Sequence, residues 1–143
     1  MAFETGQGAT VVFATTTTFT PAFTNFTGPG WTRDSLETTT LATAGARTMK
    51  GSDLWTIAPI TCTFLMDGAE MATTENNNID DILFDTAVMT ADESNITLTV
   101  GNASSTFQNG GHITEVQMED ISLDSLQAAT ITFQWDDTPT MAE

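Results

Sequence analysis

His112, Cys62 and the carboxylates are the residues through which this chain could do covalent or proton-transfer chemistry. A catalytic triad, a zinc centre and most acid/base schemes need histidines or cysteines in company, and the sequence offers one of each and no tyrosine. Cys62 stands in an apolar run, which suits a small buried hydrophobe rather than a reactive thiol, and a lone cysteine forms no intrachain disulfide. His112, beside a Gly-Gly pair, reads as a solvated strand residue. Acidic neighbours occur at Asp80-Asp81, Glu119-Asp120 and Asp136-Asp137. None has the alternate spacing of a calcium loop, and so acidic a chain produces such pairs by chance. Gly6-Gln7-Gly8 lacks the preceding strand and the third glycine of a dinucleotide fingerprint. The sequons at Asn25, Asn95 and Asn102 are what a chain rich in Asn, Ser and Thr contains by chance. The expectation is a protein that is not an enzyme, with no catalytic residue, no cofactor and no metal.

Charge is distributed far less evenly. Three Lys and Arg against nineteen Asp and Glu give a formal net charge of −16. Such a surface repels nucleic acid and acidic membranes. All three cations, Arg33, Arg47 and Lys50, fall in one stretch, and no Lys or Arg lies outside positions 33 to 50. A limb carrying the only positive charges of an acidic body finds its complement on a neighbouring identical chain, in a heterologous contact that closes into rings or continues into filaments. The guanidinium groups of Arg33 and Arg47 can each grip a carboxylate with two hydrogen bonds. Trp31, Arg33, Asp34, Arg47 and Lys50 are therefore the candidate subunit-interface residues.

The elements that must position these residues are mostly strands. Threonine is abundant and clusters at Thr15 to Thr18 and Thr38 to Thr40, and its branched side chain favours pleated, half-exposed surfaces. In residues 129 to 135, Ala129, Ile131, Phe133 and Trp135 alternate with Thr130, Thr132 and Gln134, the pattern of a strand with one packed face. Ile96, Leu98 and Val100 alternate with Thr97 and Thr99 in the same way, and Gly101-Asn102 marks a turn. Asn109-Gly110-Gly111 has the residues of a tight hairpin turn, joining a strand near 104 to 108 to one that starts at His112. Beyond it the apolar set slips from Ile113 to Val116 and Met118, then to Ile121 and Leu123, as in a bulged strand of a curling sheet.

Residues 53 to 66 form another long strand candidate that changes parity at Pro59, where a kink or an edge position is expected. One helix is expected from Asn78, with Ile79, Ile82, Leu83, Ala87 and Met89 on the packed arc, Asn78 as cap and Asp80 and Asp81 at the positive end. Phe84 and Val88 would project from the opposite side. Residues 20 to 52 mix aromatics with Pro and Gly and read as an extended arm or long hairpin.

A length of 143 residues fits one domain, 1–143, with the arm at about 20–52. The N-terminal stretch lacks the features of a signal peptide, and no apolar run is long enough to cross a membrane. The chain is expected to be made and kept in the cytosol until it assembles.

The run Arg33-Asp34-Ser35-Leu36-Glu37-Thr38-Thr39 resembles the major tail tube proteins of siphovirus-type, long non-contractile tails, which carry an Arg, then an aliphatic-acidic pair, then Thr. Gly45-Ala46-Arg47 is similar to the second basic step of that family, at the far end of its long loop. Ile113-Thr114-Glu115-Val116, Asp120-Ile121-Ser122-Leu123 and Ala129 to Phe133 resemble its closing strands. The resemblance spans about residues 20 to 135. The scarcity of basic residues and Pro59 are departures from the family pattern.

The resemblance implies a mainly β subunit, a β-sandwich or half-barrel with one flanking α-helix and a long arm. It implies hexameric rings with a continuous inner barrel, stacked into the tail tube of a virion assembled in the host cytoplasm. DNA would pass through the lumen without specific binding, and the tape measure, tail terminator and distal tail proteins would be partners. The competing reading is a virion β-domain for capsid decoration or receptor binding, in which Trp31, Trp55 and the threonine faces would contact a ligand.

Overall fold

The computed structural model describes residues 8–14, 22–65, 83–84, 86–100 and 105–142. Within them, strands β1 (Thr10–Phe13), β2 (Ala22–Phe26), β5 (Ile60–Leu65), β6 (Glu93–Val100), β7 (Ser105–Met118), β8 (Ala128–Trp135) and β9 (Thr140–Ala142) form one antiparallel sheet. Its order is β1-β6-β7-β8-β5-β2, with β9 on β7. Strands β3 (Trp31–Glu37) and β4 (Met49–Ile57) form a separate two-stranded sheet, and a short helix α1 covers Thr86–Thr90.

Alternation builds the core as expected. Ala129, Ile131, Phe133 and Trp135 of β8 are buried and their neighbours are not. Val11 and Phe13, Ile96 and Leu98, and Ile60, Cys62 and Phe64 join them on the same face. The Phe13 and Phe133 rings meet edge to face with centroids 5.8 Å apart. Between β1 and β8 lie two other strands, so a flat sheet with spacings of about 4.8 Å would hold them about 14 Å apart. The sheet must therefore curl round its apolar face into a half-barrel. Trp135 sits inside it without an orphaned donor, because its indole N–H donates to the Ile96 carbonyl at 3.0 Å. The opposite face is a half-exposed threonine and glutamine surface, with Thr61 and Thr132 hydroxyls 3.1 Å apart.

The expected hairpin turn at Asn109-Gly110-Gly111 is not formed. These residues lie inside β7, which pairs with β6 through its first half and with β8 through its second, the two registers meeting at Gly111. A Cβ at Gly111 would collide with the Gln134 carbonyl oxygen and approach Ile96 Cδ1 at 3.0 Å. The glycine serves close approach of strands rather than chain reversal. The expected slip after it is present as a register shift between Ile113 and Glu115. Ile121 and Leu123, however, belong to an exposed loop between β7 and β8.

Pro59 separates β4 from β5, so the single long strand expected at 53 to 66 is two strands in two sheets. The expected arm also shifts: residues 22–26 pair with β5 at the sheet edge, placing Phe23 and Phe26 against the core, while the projecting hairpin runs from Trp31 to Ile57. Leu83 and Val88 pack on the core, and Phe84 and Met89 are exposed, the reverse of the expectation for Val88 and Met89. A bend at Phe84 resets the helical phase, so an arc counted from Asn78 does not carry through. The Asn78 cap, Asp80, Asp81 and the Gly101-Asn102 turn lie outside the described residues, as do Gly6-Gln7 and Thr15 to Thr18.

Candidate assembly surface

The β3–β4 hairpin leaves the body after Gly30 and returns at Ala58, whose N–H donates to the Gly30 carbonyl at 2.9 Å. Two further bonds fix its base: Gln134 Nε2 donates to the Ile57 carbonyl at 3.0 Å, and Trp55 Nε1 to Thr138 Oγ1 at 3.2 Å. Its distal loop is stitched by threonines. Thr38 N–H donates to the Thr48 carbonyl at 2.8 Å, Thr38 and Thr48 hydroxyls pair at 2.9 Å, and Gly45 supplies a left-handed residue with φ of 87°.

Every residue of β3 is exposed. Trp31 stands 65% exposed at the base, opposite Ile57, while Leu36, Met49 and Leu54 are uncovered further out. A groove of about 290 Å³ lies between Trp31 and Trp55, and one of about 330 Å³ between Trp31 and Met141. A third cleft, on the β4 side, is lined by Asp53, Asp136 and Asp137.

The five candidate interface residues all fall on this hairpin, but not as one cluster. Arg33 faces Trp55 across the strand pair, and its Nε donates to the Ser52 carbonyl. The guanidinium fills the space that a side chain at position 51 would need, so Gly51 is the platform on which Arg33 lies. A register irregularity between Arg33 and Ser35 falls at Asp34. Arg47 Nε is 3.6 Å from Glu37 Oε1 with both groups exposed, a pairing worth about 0–1 kcal/mol. Lys50 pairs by backbone with Leu36 and has no side-chain ion pair among the described residues. Leu36, Met49 and Leu54 extend the surface beyond what the charges alone had marked. Their signal was apolarity without a packed partner strand.

Reactive chemistry is sparse in the described residues. Burial pushes the Cys62 thiol up to about 12, which removes its thiolate at neutral pH. His112 Nδ1 lies 3.0 Å from Asp136 Oδ1 at the surface. No three His, Cys, Asp or Glu side chains converge into a metal site among the described residues.

No family model matches the sequence, and no curated protein does. Its fold is shared with chains of tail and injection particles. One is a chain of the anti-feeding prophage baseplate, determined with six-fold symmetry, at 12% identity and TM-score 0.67 over 99% of this chain and 97% of that one. Another belongs to the tail of an empty gene transfer agent particle, at 11% identity and TM-score 0.67 over 99% and 100%. A third comes from the sheath/tube terminator of an extracellular contractile injection system, at 13% identity and TM-score 0.68 over 100% and 99%. At these identities the likeness shows the mainly β fold alone. Because contractile systems are among them, the fold is not specific to siphovirus-type tails.

Proposed function

We propose that this chain is a structural subunit of a tail tube: a single domain over residues 1–143 that closes into hexameric rings, stacked through the β3–β4 hairpin. The carrying observation is that hairpin, a two-stranded sheet exposed along β3 and bearing every cation of a −16 chain. Isolated two-stranded hairpins are marginal in water, and one that also presents Trp31, Leu36 and Leu54 to solvent is an incomplete element. A neighbouring copy supplies both the missing apolar cover and the carboxylates for Arg33, Arg47 and Lys50.

The shared fold and the six-fold symmetry of the baseplate and gene transfer agent tail support this reading. The acidic balance suits a conduit, since a negative wall offers phosphates no ion pairs during DNA passage. The runs at 33–39 and 45–47 favour a long non-contractile tail. Tape measure, terminator and distal tail proteins are the corresponding partners, and the virion tail, assembled in the host cytoplasm, is the location.

Negative-stain microscopy of concentrated protein, with and without high salt to screen self-repulsion, is the test. Hexameric rings or tubes are the expected result. A stable monomer or trimer that binds a ligand through Trp31, Trp55 or the threonine faces overturns the reading in favour of a decorating or receptor-binding domain.

A further inference from the structure

The loop of residues 119–127, between β7 and β8, is the second unfinished surface of the molecule. It is not a loose connection: Glu119 N–H donates to the Ala128 carbonyl at 3.0 Å, Gln127 Nε2 donates to the Glu119 carbonyl at 3.4 Å, and Ser122 and Ser125 hydroxyls pair at 2.7 Å. On this closed frame Ile121, Leu123 and Leu126 are all exposed, Ile121 by 79%. Asp120 stands just before Ile121, and Asp124 between Leu123 and Leu126.

The loop thus combines aliphatic side chains with negative charge, where the hairpin combines apolar side chains with positive charge. Among the described residues the loop carboxylates have no ion pair, and the hairpin cations have only the exposed Arg47–Glu37 contact. The loop closes the Met118–Ala129 end of the β7–β8 pair, and the hairpin base is tied to the Gly111–Trp135 end. Seven residues of strand separate those ends, or about 23 Å at 3.3 Å per residue. Two complementary, dissimilar surfaces at opposite ends of one rigid strand pair define a heterologous contact that repeats in one direction.

We propose that the 119–127 loop of one copy docks on the β3–β4 hairpin of the next, bringing Asp120 and Asp124 to Arg33 and Arg47 and covering Leu123 with the apolar hairpin face. This names the partner segment within the tube-subunit reading and rests on it. The cleft lined by Asp53, Asp136 and Asp137 is the rival acceptor for the cations, but it flanks the hairpin of its own chain and so lies at the same end.

A charge swap in the full chain tests the pairing. Asp120→Arg with Asp124→Arg, and separately Arg33→Glu with Arg47→Glu, should each reduce sedimentable assemblies about tenfold or more by placing like charges together. The four substitutions combined should restore them. Unaltered thermal melts confirm that each variant folds. Wild-type assembly with an unaffected loop variant, or no recovery in the combined variant, overturns the pairing and leaves the tube reading standing.

Cross-linking reads the contact without requiring tubes. A Leu36→Cys, Leu123→Cys chain should give a ladder of disulfide-linked oligomers on oxidation, while each single variant stops at dimers. A ladder from protein that never forms tubes keeps the pairing and overturns the tube reading. No ladder from assembled protein overturns the pairing.

Discussion

Strands β8 and β3 differ by one residue in length, and both are antiparallel. Strand β8 lies between β7 and β5, and its inward side chains disappear beneath the curled sheet. Strand β3 has one neighbour and buries nothing. Strand β8 is hydrogen-bonded along both edges and β3 along one, and β8 alone of the two removes a face of apolar side chains from water. The half-barrel core is covered by its own residues, whereas the apolar side chains of the hairpin stay exposed.

The contrast can be broken most severely at Phe133. Phe133→Ala should cost about 3–5 kcal/mol in urea unfolding of the monomer, while Trp31→Ala should cost a small fraction of that; equal costs would erase the distinction. The glycines sharpen it next. Gly111→Ala drives a Cβ into the Gln134 backbone and should cost about 1–3 kcal/mol. For Gly51→Ala the nearest atoms belong to the flexible Arg33 side chain, which can swing away, and the melting temperature should change little.

Cys62 offers a pH-dependent version. Its thiol is raised to about 12 in the fold from a reference of 9.0, so the folded state holds the proton more tightly than the unfolded chain. The contribution of Cys62 to stability is unchanged below pH 9 and falls as pH rises through that window, by about 1 kcal/mol per pH unit. Wild type should therefore lose stability faster than Cys62→Ala between pH 9 and 11; parallel profiles would show that the thiol is not sealed in the core. The smallest effect on folding is expected at Leu36→Ser with Leu54→Ser, within about 0.5 kcal/mol for the monomer. The same pair should sharply lower the yield of rings or tubes, and undiminished assembly would mean that the hairpin face stays bare.

What could be read in advance follows the same division. Alternation revealed β6 and β8 because one face of each is fully buried, and burial is what imposes a period of two. Cys62 was legible for that reason as well. Asn109-Gly110-Gly111 misled because a glycine needed where β8 crosses close to β7 has the same spelling as one needed in a turn. The helical phase at Val88 and Met89 was lost at the bend by Phe84. At the candidate surface, the clustering of Arg33, Arg47 and Lys50 marked the hairpin, but Leu36 and Leu54 carried no periodic signature. Nor did the sequence show that Ile121 and Leu123 leave the sheet, because their spacing continues a strand pattern that only the reversal into β8 interrupts.

The neck of the hairpin has one further consequence. Gly30 and Ala58 are already bonded neighbours, so the chain could pass directly from one to the other and leave the half-barrel's wiring unchanged. Beyond the Trp31–Ile57 base, where Ile57 packs against the core, the projecting part is thus an interchangeable fitting: its length, tip and lettering can be rewritten without asking the solvent-excluded centre to repack.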